Sequence, residues 1–303
     1  MKDLKKYSGI FPAFYACYND DGTVSIERTR ELVRYYIDAG VQGTYVNGSS
    51  GECIYLRPDE RKKIIEAVVD EAKGKLVIIN HVACNNTEDS MELAAHSETL
   101  GVDAIASIPP IYFRLPEYSI AQYWNDISSA APNTDFVIYN IPQLAGTALT
   151  KSLFVEMLKN PNVVGVKNSS MPVQDIEIFK HTGGNVVVFN GPDEQFISGR
   201  MMGAQAGIGG TYGVMPKLFV KLNELFEAAD YEAAKELQYA IDDIISVLCS
   251  GHGCMYAVIK GVLKKNGLDI GPVRKPQTDL IPSDMEVVDK ADAMIKAAME
   301  KFC

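Results

Sequence analysis

Short apolar, β-branched runs alternate along the chain with stretches whose apolar positions recur at helical spacing, and the alternation repeats about eight times. A first strand is predicted over Gly9–Ala16, followed by the turn signal Asp20-Asp21-Gly22. Ser25 then caps a helix in which Leu32, Val33, Tyr36 and Ile37 sit at helical spacing, ending at Gly40. Gly43–Asn47 reads as the second strand, and Pro58 opens a helix that runs to about Ala72. Leu76–Val82 is apolar throughout and too short for a helix, so it is a buried third strand. Thr87–Leu100 is helical, and Ala104–Ile108 is the fourth strand, stopped by Pro109-Pro110.

The same rhythm predicts a helix over Tyr118–Ala130, a strand over Phe136–Asn140 and a helix over Thr150–Leu158 capped by its own threonine. Val163–Lys167 is the sixth strand, Val173–His181 a helix and Val186–Asn190 the seventh strand. Gln195–Met202 is helical, Gly207–Gly209 a short eighth strand and Pro216–Ala228 the last barrel helix. Eight such units imply parallel strands closed into a (β/α)8 TIM barrel, an α/β fold. A doubly wound sheet is the rival, but no glycine-rich dinucleotide fingerprint follows the first strand. Residues 230–303 show no strand pattern and read as three appended helices, Tyr231–Leu248, Met255–Lys265 and Ser283–Lys301. No Pro/Gly/Ser-rich linker separates them from the barrel of residues 1–229, so they are expected to belong to the same domain.

Composition narrows the partners. With 29 basic and 39 acidic residues the formal charge is −10, which repels phosphate backbones and anionic lipid. Nucleic acid and membrane surfaces are therefore unexpected partners, and a small molecule is the expected one. Nowhere do eighteen apolar residues run together, and the N-terminal stretch lacks the apolar core and cleavage site of a secretory leader. Cys17, Cys53, Cys84, Cys249, Cys254 and Cys303 are scattered, with no metal-binding spacing, and are expected as reduced thiols in a cytoplasmic protein.

In this fold chemistry is carried at the C-terminal ends of the strands. Lys167 ends one of the most apolar strands, so its side chain points either into the barrel mouth or toward the outer helices. No polar face offers it an exit, and Asn168-Ser169-Ser170 supplies polar groups beside it. A lysine taken out of water there holds its proton less tightly, and the free amine attacks a ketone to give an electron-withdrawing iminium. Tyr139 ends the preceding strand and is either a buried tyrosine with a satisfied hydroxyl or a proton donor and acceptor. Tyr112 is either core or an exposed loop residue. Gly48-Ser49-Ser50-Gly51-Glu52 is either a plain turn or a nest of amides and hydroxyls suited to a carboxylate, and it lacks the lysine of a triphosphate loop.

Four segments now stand in order: Gly48 to Glu52, Tyr139-Asn140-Ile141-Pro142, Val164 to Ser170 around Lys167, and Gly207 to Gly213. Together they resemble the dihydrodipicolinate synthase and N-acetylneuraminate lyase superfamily of pyruvate-dependent class I aldolases, over about residues 8 to 275. The resemblance implies Lys167 as Schiff-base lysine, Tyr139 as acid/base, Ser50 positioning Tyr139, and Ser49 with Ser50 on the pyruvyl carboxylate. It implies a homotetramer in which Tyr112 reaches toward a neighbouring subunit's site, and no cofactor or metal beyond the covalent lysine adduct.

The branches differ after strand five. The synthase branch carries an arginine where this chain has Leu144, and an apolar side chain cannot pair a second carboxylate. The sialic acid lyase branch has a leucine there and a segment resembling Gly191-Pro192-Asp193-Glu194. By that resemblance Gly191, Asp193, Glu194 and Ser169 hold sugar hydroxyls, although Asp193-Glu194 also suits the cap of the following helix. Gly210 stands where that branch commonly has a serine, which removes one hydroxyl contact; Thr211 is adjacent. The expected reaction is aldol cleavage of a sialic acid to an amino sugar and pyruvate. The alternatives are an aldolase or dehydratase for another 2-keto-3-deoxy sugar acid, the synthase reaction, and a non-catalytic sugar-acid sensor.

Overall fold

The computed structural model describes residues 2–303. Eight strands alternate with helices: β1 (Gly9–Pro12), α1 (Ile26–Asp38), β2 (Gly43–Val46), α2 (Pro58–Ala72), β3 (Val77–His81), α3 (Thr87–Thr99), β4 (Ala104–Ser107) and α4 (Glu117–Ser129). The chain continues through β5 (Asp135–Asn140), α5 (Pro142–Ala145), α6 (Lys151–Met157), β6 (Val163–Asn168), α7 (Gln174–Gly183), β7 (Val187–Asn190), α8 (Phe196–Met201) and β8 (Ala206–Gly209). The helices α9 (Pro216–Glu227), α10 (Tyr231–Leu248), α11 (Met255–Lys265) and α12 (Met285–Phe302) complete it. This is a (β/α)8 barrel with appended C-terminal helices.

The strands lie in the order β1-β8-β7-β6-β5-β4-β3-β2, with parallel pairing from β2 through β8. Gln42, just before β2, brings the two ends of that order together: its N–H donates to Ile10 O at 3.0 Å and its carbonyl accepts from Val77 N–H at 3.1 Å. By contacts the chain divides into two compact units. One holds the N-terminal residues through Phe11, Gln42–Val46 and Val77–Gly209, and so carries the sheet and α3 to α8. The other holds Pro12–Val41, Asn47–Leu76 and Gly210–Cys303, which is α1, α2 and α9 to α12.

Within the first unit, Phe11 and Phe189 meet edge to face with centroids 5.6 Å apart, and Tyr7 packs on Phe189 at 6.2 Å. Rings filling a small barrel in this way make its interior a packed core rather than a pore. Within the second, α1 and α2 pack together, and α10 and α12 bury apolar faces against each other.

Local signals behave as the sequence predicts. Ser25 Oγ accepts from Arg28 N–H at the start of α1, and Thr150 Oγ1 accepts from Leu153 N–H at α6. Two readings need correction. β1 stops at Pro12, which has no N–H for a ladder; Ala13 adds one isolated bridge, and Phe14 to Ala16 stay buried outside any pairing. The apolar run reported burial there, not pairing. The turn after β5 also forms the short helix α5, ended by Gly146 at φ +72°.

Candidate active site

The register of the sheet brings the two leading candidates side by side. Tyr139 of β5 pairs with Lys167 of β6, which pairs in turn with Phe189 of β7. Lys167 is 4% exposed, and its side chain has turned to the rings of the barrel interior. Its Nζ lies 3.9 Å from the centroid of Tyr139 and 4.2 Å from that of Tyr45. Among the described residues no carboxylate or carbonyl accepts a hydrogen bond from this amine. With no acceptor tying it down, the amine is not held away from an incoming ketone.

Two members of the site were not singled out in the sequence. Tyr45 of β2 meets Tyr139 edge to face at 5.7 Å, and His81, the last residue of β3, packs on Tyr45 and Tyr139 at 6.1 Å each. Ile108 N–H donates to His81 Nε2 at 3.4 Å. Both residues are buried. Tyr45 lies within the second predicted strand, where nothing local distinguishes it from core. The signal available was alternation: polar or ionisable side chains on the barrel-facing positions nearest the strand ends.

The strand ends next to this rung are tied together. Asn140 Nδ2 donates to Asn168 Oδ1 at 2.7 Å, and Asn140 Oδ1 accepts from Leu149 N–H at 2.9 Å. Ser170 Oγ donates to Asp175 Oδ2 at 2.5 Å and lies 3.0 Å from Asn168 Oδ1. Ser169 N–H donates to Asn140 O and Gly191 N–H to Asn168 O, both at 2.8 Å. Ser169 and Gly191 are thereby neighbours. A Cβ on residue 191 would collide with Ser169 Oγ and come within 2.7 Å of Asn168 O, so the close approach demands glycine. Asp193 is buried and Glu194 exposed, in a single 3-10 turn that no side chain caps. Tyr112 is 90% exposed in a left-handed conformation (φ +82°), stacked edge to face on exposed Phe113 at 5.0 Å. Leu144 is exposed as well.

Within the second unit, Ser49 is half-buried and Ser50 buried, immediately after β2 in the chain. Ser50 Oγ shares a hydrogen bond of 3.1 Å with the Tyr256 hydroxyl. The Tyr15 hydroxyl donates to Gly210 O at 2.6 Å, and a Cβ on residue 210 would lie 3.2 Å from Ser50 Oγ and 3.4 Å from the Tyr256 oxygen. Ser50, Gly210 and Tyr256 are thus one cluster. Tyr256 belongs to α11, which no strand-end rule would have searched.

Residues 6–298 match the model of the dihydrodipicolinate synthetase family. The chain belongs to that family. Among its relatives, the N-acetylneuraminate lyase of Mediterraneibacter gnavus is 61% identical over 304 residues, covering 100% of this chain and 96% of that one. An N-acetylneuraminate lyase of Clostridium perfringens is 32% identical over 95% of this chain and 98% of its own. Of solved structures, a sialic acid aldolase of Ruminococcus gnavus, described as its catalytic lysine mutant, superposes with a TM-score of 0.99 at 61% identity over all of both chains. The Clostridium difficile protein CdNal, solved in complex with mannosamine, gives a TM-score of 0.89 at 28% identity over all of both chains. Membership in the family thus extends to a branch whose members are named as lyases.

Proposed function

We propose that this family member is a Schiff-base lyase that cleaves N-acetylneuraminate reversibly to N-acetylmannosamine and pyruvate. One observation carries the chemistry: the buried, acceptor-free amine of Lys167 in register with Tyr139. The 61% identical relative named as an N-acetylneuraminate lyase supports the choice of substrate, and a relative described by its catalytic lysine supports the choice of nucleophile.

The reaction follows from these groups. Lys167 Nζ adds to the C2 ketone of the open-chain sugar acid, and loss of water from the carbinolamine leaves an iminium. Tyr139 gives its own proton to the hydroxyl that leaves the carbinolamine as water. It then takes the proton of the C4 hydroxyl, directly or through the substrate carboxylate, while the C3–C4 bond breaks and its electron pair moves into the iminium. N-acetylmannosamine leaves as the aldehyde. The enamine takes a proton at C3, and water then releases pyruvate and the free amine. Ser49 and Ser50 hold the carboxylate, Ser50 also orienting the acid/base group, while Ser169, Gly191, Asp193 and Glu194 receive the polyol. The iminium itself withdraws the electrons, so the scheme calls for no metal or cofactor. We also propose a cytoplasmic homotetramer in which exposed Tyr112 completes a neighbour's site; no helix among the described residues is long and apolar enough to cross a membrane.

Two measurements test the reading. Borohydride added with pyruvate is expected to fix a pyruvyl adduct on Lys167, seen by mass spectrometry, and an unmodified Lys167 would sink it. Pyruvate release across a substrate panel is expected to favour N-acetylneuraminate. The absence of a side chain at Gly210 favours one competing reading, a 2-keto-3-deoxy sugar acid with fewer hydroxyls to hold. Faster release from such an acid would move the assignment there.

A further inference from the structure

The appended helices have no part in the scheme above. We propose that Tyr256 and Lys260 of α11 are positioning residues that hold the Gly48–Glu52 loop in its carboxylate-binding form. The inference rests on the reading that Ser49 and Ser50 bind the pyruvyl carboxylate.

Tyr256 and Lys260 are four residues apart and share one helix face. They meet two loop residues that are two apart: the Tyr256 hydroxyl meets Ser50 Oγ at 3.1 Å, and Lys260 Nζ donates to Glu52 Oε1 at 3.0 Å. The loop requires such a grip. It is bounded by two non-glycine residues in left-handed backbone, Asn47 at φ +56° and Glu52 at φ +54°. Side chains adopt that conformation only where their surroundings over-determine it. Asn47 is tied down by Nδ2 donating to Arg61 O at 3.1 Å. Glu52 is tied down through both oxygens, since Oε2 accepts from Arg274 N–H at 2.8 Å and from the Tyr18 hydroxyl at 3.4 Å.

Lys260 is saturated in turn. Its remaining protons go to Ala16 O at 2.8 Å and Pro272 O at 2.7 Å. The buried ion pair therefore joins the loop, the segment after β1 and the stretch before α12 at one point. Tyr256 adds direction to this. When its hydroxyl donates to Ser50, the proton of Ser50 is left for a carboxylate oxygen. Gly210 leaves room for the arrangement, because a side chain there would press on both oxygens.

The test uses reductive trapping on Lys167 with two keto compounds, pyruvate and its methyl ester, which lacks the charge. The variants are Tyr256→Phe and the pair Glu52→Gln with Lys260→Met, made together so that neither buried charge is left alone. In both, the pyruvate concentration for half-maximal trapping is expected to rise about tenfold, equivalent to about 1.4 kcal/mol. Trapping at saturating pyruvate is expected to stay within about twofold of wild type. With methyl pyruvate both variants are expected to match wild type, which a general loss of structure would not allow. Half-saturation by pyruvate unchanged in Tyr256→Phe, or an equal penalty with the ester, overturns the positioning role. A wild-type chain that traps neither compound overturns the Schiff-base reading beneath it, an outcome distinct from the others.

Discussion

Lys167 and Lys260 are buried to the same degree, each 4% exposed, yet their surroundings are opposites. Lys260 donates to one carboxylate and two carbonyls, so all three of its protons are engaged. Lys167 has aromatic faces around it and no acceptor among the described residues. Burying an amine is costly unless its polar groups find partners. At Lys260 the partners offset that cost and fix several segments of backbone. At Lys167 only two ring faces stand against the amine, and one without a hydrogen-bond acceptor is one that a substrate can engage. Burial alone therefore says little about what a lysine does; its partners do.

Replacing each lysine in turn should separate the two roles. Lys167→Met is expected to lower turnover by about 10⁴-fold or more, since the nucleophile is gone. Its urea midpoint is expected to equal or exceed that of wild type, because an uncompensated polar group has been removed. A Lys167→Met protein that unfolds readily would mean that the rung is structural. Lys260→Met is expected to do the reverse, lowering unfolding free energy by about 3–5 kcal/mol by leaving Glu52 buried and unpaired. Wild-type stability in that variant would show that Glu52 finds another partner.

A smaller effect sharpens the same contrast from the acidic side. Backbone N–H groups of Ile281, His252 and Gly253 all donate to the Asp284 carboxylate, at 2.7 to 3.0 Å. These bonds, that from Ile281 first, hold its carboxyl below the usual carboxylate range. Because the folded value lies below the unfolded one, the stabilisation is present above the unfolded value of about 3.9 and is lost as pH falls further toward the folded value. The stability gap between wild type and Asp284→Asn should therefore be constant at neutral pH and shrink below about pH 4. A gap that grows on acidification would contradict the assignment.

Much of the fold was legible because periodicity and punctuation agree locally. Ser25, Pro58 and Thr150 start helices through their own side chains or ring. Strand ends were less legible, as Phe14 to Ala16 illustrate, because apolar residues record burial whether or not their backbone pairs. The site divides along the same line. Lys167 and Tyr139 were accessible as residues at the ends of consecutive strands. Tyr45, His81 and Tyr256 were not, because each is an ordinary aromatic of a strand or helix until its neighbours are known.

The sequence by itself determined the alternation of strands and helices, the ends that carry chemistry and the order of the motifs, because these depend on spacing along one chain. Only the tertiary structure decided which way Lys167 turns, that rings rather than carboxylates surround it, and that Lys260 is bound where Lys167 is free. Those outcomes depend on strand register and on contacts between residues far apart in the chain, such as the 208 positions between Glu52 and Lys260. No local pattern encodes such a pairing, since its energy exists only once both groups have left water together.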